Sequence, residues 1–234
     1  MRQSWTWPRV ELSDGAVEAM KWQGLILMTA DHAQKYGLMP TVPEVYEAGR
    51  VAFPLFAIVL AYNLARVRAH DPAVYVRVLT RLLFCGAIAS IPFMALGGLG
   101  FGWWPLNCMG TLAVAVGIMY VIEARRPFWK TRAAVVFLLG GALVEFWWPG
   151  VALCVGAWWY CKHPSGGALV LWFAGTACLT LINANWWACA SFVVLAAMAS
   201  CVTIEIPRAS RFFYLYYPAH LAVLLLLRLS IPSP

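Results

Sequence analysis

Apolar stretches of about the length a helix needs to cross a bilayer, roughly 20 residues, follow one another from residue 15 to residue 230. They are broken only at charge clusters or at Gly, Pro and Asn. In hydrocarbon a segment must close its own backbone hydrogen bonds, which a helix does. Spans are expected at residues 15–37, 48–66, 74–97, 105–124, 132–146, 149–162, 167–183, 186–203 and 212–230. The fifth and sixth are short and separated only by Trp147-Trp148-Pro149-Gly150, leaving a tight hairpin, one kinked helix or a partly re-entrant piece open. The expected fold is all-α: a polytopic integral-membrane helical bundle of about nine transmembrane helices, within a range of about eight to ten. Composition agrees, with 62% hydrophobic and 12% charged residues and a mean hydropathy of +0.73. No polar block is large enough to fold separately, so residues 1–234 read as one integral domain.

Lys and Arg collect in short cytoplasmic loops of membrane proteins, and here they cluster at alternate connections. The clusters are Arg66 and Arg68 with Arg77; Arg125, Arg126, Lys130 and Arg132; Lys162; and Arg208 with Arg211. The connections between them, Gly97 to Pro105, Trp147 to Gly150 and Asn183 to Asn185, carry none. Nine helices then put the N-terminus in the cytoplasm and the C-terminus outside. The net charge of +7 is an orientation signal, not a nucleic-acid footprint. Residues 1–15 contain Trp5, Trp7, Pro8 and several charges without the apolar core of a cleavable signal. The seven cysteines, Cys85, Cys108, Cys154, Cys161, Cys178, Cys189 and Cys201, show no Cys-x-x-Cys pairing, so neither a metal site nor a disulfide framework is expected. The 13 tryptophans suit membrane interfaces and identify no ligand.

Titratable groups inside the spans are more selective. Asp31 and His32 adjoin in the first apolar segment, where a central Asp costs roughly 2.5–3.5 kcal/mol and calls for a partner, a wet cavity or a task. Neighbours about 100° apart on a helix cannot both escape to one interface. Lys21 and His32, eleven residues apart, share nearly one helix face about 16 Å apart along the axis. Arg50 opens the second span ahead of Pro54. Arg77 and Arg81 stand at i,i+4 and emerge from one side of the third; as cytoplasmic anchors they need do no more than snorkel. In the last span Pro218 removes an intrahelical hydrogen bond, and His220 follows Tyr216 by four and Tyr217 by three. His220 also suits a packing role between helices. Glu145, near an outer end, is expected to reach headgroups or pair with a base.

Four pieces carry a resemblance: Met20-Lys21; Leu27-Met28-Thr29-Ala30-Asp31-His32; Gly49-Arg50-Val51-Ala52-Phe53-Pro54-Leu55-Phe56; and Phe213-Tyr214-Leu215-Tyr216-Tyr217-Pro218-Ala219-His220-Leu221. Together they resemble the TraX family of conjugative-plasmid proteins, in the expected order over nearly the whole chain. The resemblance implies a multi-pass protein of the bacterial inner membrane that acetylates the N-terminal amine of a pilin subunit, with acetyl-CoA as donor and no metal. Its partners would be the pilin, acetyl-CoA and membrane lipids, with no nucleic acid. The family looks related to multi-spanning acyltransferases whose first helix carries a basic residue, usually Arg, and a His with ten residues between them. Lys21 and His32 keep that spacing with Lys for Arg. Arginine pairs on the third helix, here Arg77 and Arg81 at a wider separation, are associated there with the acyl-donor coenzyme.

On this reading Lys21, Arg77 and Arg81 meet the donor's phosphates. His32 is the general base, with Asp31 either orienting the imidazole or pairing with Arg50 across helices. His220 or a hydroxyl of Tyr214 or Tyr217 stabilises the oxyanion or shuttles a proton, and Arg50, Tyr214 and Tyr217 face the acceptor. Direct transfer and an acyl-histidine relay both remain open, as do a linear pilin, a cyclic one or another acceptor. Two readings of other classes share the same residues: a proton-coupled small-solute transporter and a non-catalytic pilin escort.

Overall fold

The computed structural model describes residues 7–67, 71–97, 99–201 and 205–230. Arg68 of the first basic cluster, Trp5, and residues 202–203 at the end of the eighth expected span lie outside them. The described residues form helices and no strands, and 78% of them are helical. Its helices are α1 (Asp14–Lys35), α2 (Pro43–Gly49), α3 (Ala52–Ala65), α4 (Pro72–Leu96), α5 (Cys108–Ala124), α6 (Trp129–Val135), α7 (Gly141–Leu143), α8 (Trp147–Lys162), α9 (Gly166–Cys178), α10 (Thr180–Asn183), α11 (Ala190–Cys201) and α12 (Ser210–Ser230). A π-helical turn, Val136–Gly140, joins α6 to α7, and a 3-10 turn, Trp187–Cys189, leads into α11.

Helix occupies all nine expected stretches among the described residues. Four runs are long and apolar enough to cross a membrane by length and composition: Pro43–Ala65, Pro72–Leu96, Gly166–Asn183 and Arg211–Ser230. The break between the fifth and sixth stretches falls earlier than Trp147-Trp148-Pro149-Gly150, which forms the first turn of α8. A proline there removes an N–H that has no intrahelical partner anyway, so Pro149 starts this helix instead of ending one. The chain departs from helix at Val144, which is extended and bridged in parallel to Leu106. Leu106 N–H donates to the Leu143 carbonyl at 2.8 Å, and Glu145 N–H donates to the Leu106 carbonyl at 2.8 Å.

The core lies between α3, α5, α8 and α9, around Leu55, Val116, Leu153 and Trp172. α8 packs on α9 with backbones in near contact. A Cβ added to Gly156 would sit 2.5 Å from the Trp172 nitrogen. α1 lies against α2, α3 and α12 and starts at an N-cap in which Ser13 Oγ accepts from Ala16 N–H at 3.1 Å. Its outward side exposes Trp22 and Ile26. Its inward side is a stripe of Asp14, Val17, Glu18, Lys21, Leu25, Met28, His32 and Lys35, the 3–4 spacing that keeps residues on one helical face.

Candidate functional site

That inward stripe lines a cavity of about 570 Å³ closed by α3, α4, α5, α12 and the 145–146 link. α1 runs about 30 Å from Asp14 to Lys35 at its rise of 1.5 Å per residue, so the cavity has two chemically different ends and an apolar middle of Leu25, Met28, Phe56 and Leu60.

At the first end Asp14 is clasped by two arginines. Arg66 Nη1 donates to Oδ1 at 2.9 Å and Arg208 Nη2 to Oδ2 at 2.6 Å. Those two hydrogen bonds hold the Asp14 carboxyl below its usual range, and the carboxylate in turn raises Arg66. One turn along, buried Glu18 pairs with Lys21, whose ammonium also lies over the Phe213 ring, 5.4 Å from its centre. Glu18 is a functional-site residue absent from the sequence expectation, although an i,i+3 acid beside a membrane lysine is a legible signal. Arg81 is exposed and lines the cavity; among the described residues it makes no ion pair. Arg77 is exposed one turn earlier and is not part of the lining.

At the other end the two expected histidines meet. His32 Nδ1 and His220 Nε2 are 2.8 Å apart, with ring planes 11° apart. The hydrogen bonds fix which nitrogen carries each proton. His220 Nδ1 lies 3.2 Å from the Tyr216 carbonyl oxygen, which can only accept, so Nδ1 holds the His220 proton and Nε2 is a lone pair. His32 Nδ1–H therefore donates to His220, and His32 Nε2 is left as an unprotonated nitrogen. The Tyr216 ring stacks on His220 at 5.3 Å. Thr29 Oγ1 donates to the Leu25 carbonyl at 2.7 Å, so the Tyr216 hydroxyl, 2.8 Å away, donates to Thr29 and ties α12 to α1. Tyr217 is buried beside His220. Tyr214 lines the cavity half-buried.

Asp31 does not hold His32. Of the two partners weighed for it, the fold selects Arg50, and the ion pair is nine-tenths buried on the Asp31 side. Arg50 is itself fixed, with Nε–H donating to the Tyr46 carbonyl at 3.1 Å and its guanidinium 4.4 Å from the Tyr46 ring centre. The adjacent residue has to be glycine: a Cβ on Gly49 would lie 2.5 Å from Asp31 Cβ. Glu145 departs from expectation. It lines the cavity and forms no ion pair with a base among the described residues. The bridge to Leu106 holds the 145–146 link on the cavity wall.

The family profile described as TraX protein matches residues 16–228. A protein named Protein TraX from Escherichia coli is 31% identical over 232 residues, covering 91% of this chain and 87% of the relative. Another Protein TraX, from Escherichia coli strain K12, is 31% identical over 135 residues, covering 58% of this chain and 51% of the relative. No solved structure matches.

Proposed function

This chain belongs to the TraX family, and on that footing we propose that it is a membrane-embedded acyltransferase that moves an acetyl group from acetyl-CoA to the N-terminal amine of a conjugative pilin subunit. The observation that carries the reading is His32 Nε2, left unprotonated by the His220–Tyr216 chain, on the wall of a cavity with arginines at its far end. Lysine-rich and arginine-rich connections at alternate turns support about nine crossings of the bacterial inner membrane with a cytoplasmic N-terminus. Donor and acceptor then approach from opposite sides.

The residues fit the donor. Arg81 has no carboxylate partner among the described residues, and the planar guanidinium fork suits phosphate. Arg66 and Arg208 line the same cavity with one carboxylate, Asp14, between them. The apolar middle of the cavity suits a thin acyl-bearing arm, over the approximately 16 Å of helix between Lys21 and His32. When bound, acetyl-CoA supplies an activated carbonyl carbon and a good leaving group. His32 Nε2 does the proton work. The acceptor ammonium gives one proton to solvent; as the new N–C bond forms and the C–S bond breaks, His32 takes the second and returns it to the departing thiolate. His220 holds His32 in the required tautomer, and the Asp31–Arg50 pair fixes the helix around them.

Mass spectrometry of the mature pilin from cells with and without this protein tests the reading. The expected result is a difference of one acetyl group at the pilin N-terminus, lost in His32→Ala with the chain still folded. An unchanged pilin mass in all strains overturns it.

A further inference from the structure

We propose that Glu145 is the anchor for the acceptor, binding a primary ammonium group at the end of the cavity that holds His32. This rests on the acyltransferase reading and adds a substrate-positioning residue to it.

Three observations converge. The first is the backbone. Helix is interrupted at Val144–Phe146, between α7 and α8, and non-helical backbone within a membrane domain is tolerated where it is buried or lines a cavity. Here it does line one, and it is rigid. Glu145 N–H is bonded to Leu106, and Phe146 N–H reaches Thr111 Oγ1 at 3.5 Å. The carboxylate is thus presented from a fixed frame, not from a loop tip.

The second is hydrogen-bond accounting. The Glu145 carboxylate, on the cavity wall, forms no ion pair among the described residues. The neighbouring cations are already placed: Arg50 is paired with Asp31 and bonded to Tyr46, and exposed Lys35 lies over the Tyr36 ring, 5.4 Å from its centre. A half-buried carboxylate in a low-dielectric wall is costly without further donors. An ammonium, with three N–H donors and a compensating charge, is the group that completes it.

The third is location. Lys35 and Arg50 act electrostatically on both His32 and Glu145, which places base and carboxylate at the same end. The Trp147–Gly150 turn that follows Glu145 carries no Lys or Arg, the mark of the extracytoplasmic side from which the amine arrives. Asp31 Oδ1, in the same wall, also lacks a hydrogen-bond partner.

The test uses the full chain in lipid nanodiscs and two probes, trialanine amide with a free α-amine and its N-acetylated counterpart, with affinities read by calorimetry. Wild type is expected to bind the free amine about tenfold more tightly or better, since its charge-assisted contact is lost on acetylation. Glu145→Gln, which keeps the size and removes the charge, should abolish the preference, and Glu145→Asp should retain part of it. Absence of a preference in wild type, or its persistence in Glu145→Gln, overturns the anchor. Acetyl transfer measured in parallel separates the two claims. Amine preference without any transfer overturns the acyltransferase and leaves the anchor. Transfer with an unchanged KM for peptide in Glu145→Gln overturns the anchor and leaves the acyltransferase.

Discussion

His220 takes its tautomer from its own helix: the Tyr216 carbonyl one turn earlier accepts Nδ1–H, and what remains is a lone pair aimed at His32. The two substitutions that test this differ in one atom type. Glutamine at 220 still offers a carbonyl oxygen to His32 Nδ1–H, whereas leucine offers nothing. His220→Leu is expected to lower the acetyl-transfer kcat about 100-fold or more, within the range for positioned acid–base groups, with the KM for acetyl-CoA unchanged. His220→Gln should recover at least about tenfold of that loss. Equal damage from both would mean His220 only packs. At this scale the sequence was informative about which groups matter and silent about who faces whom. Asp31, His32, Arg50 and His220 stand out as polar groups in apolar runs, and they meet in space as two pairs, Asp31 with Arg50 and His32 with His220. The choice of Arg50 over His32 as the partner of Asp31 depends on α2 folding back along α1 and on a glycine at position 49 that admits the carboxylate. No spacing rule encodes that. Glu145 misled because nearness to a helix end says nothing about which way an irregular link turns.

Helix identity followed from hydrophobic runs, and the misplaced break shows where that reasoning fails. Trp147-Trp148-Pro149-Gly150 looks like an interruption, yet its proline falls in the first turn of α8, where the missing N–H costs nothing. The real departure, at Val144, is stabilised by a backbone bridge to Leu106 some 38 positions away, and its local sequence, Leu143-Val144-Glu145-Phe146, is ordinary helix material. The pairing of α8 with α9 rests on small residues. Gly156 faces the Trp172 backbone with no room for a Cβ, the close approach on which membrane helices rely. Gly156→Leu is expected to lower the thermal midpoint in nanodiscs by an amount equivalent to about 1–3 kcal/mol of overpacking. The same change at Gly167, which meets nothing within 4 Å, should leave it within about 0.5 kcal/mol.

Across the whole molecule, Asp14 joins parts far apart in sequence: the start of α1, Arg66 after α3, and Arg208 ahead of α12. Its carboxyl is held below its usual value by those two hydrogen bonds. A depressed folded-state value means that the contact contributes its full stability above the unfolded carboxyl's range, near pH 4, and loses it as pH falls through the lower folded value. Backbone amides in residues 205–209 should therefore exchange slowly at neutral pH and faster below about pH 4, relative to their intrinsic rates. Asp14→Asn should show the faster behaviour at every pH. An identical acid limb in the variant would remove Asp14 from that role.

The chain of bonds from the Tyr216 carbonyl through His220 to His32 crosses between helices only once, at the 2.8 Å link from α12 to α1. The proton inventory of His220 is carried within a single turn, so it travels with α12 wherever that helix goes. A slip of α12 by little more than an ångström would disengage His32 while leaving His220 unchanged, so this one joint behaves as a clutch between the two helices.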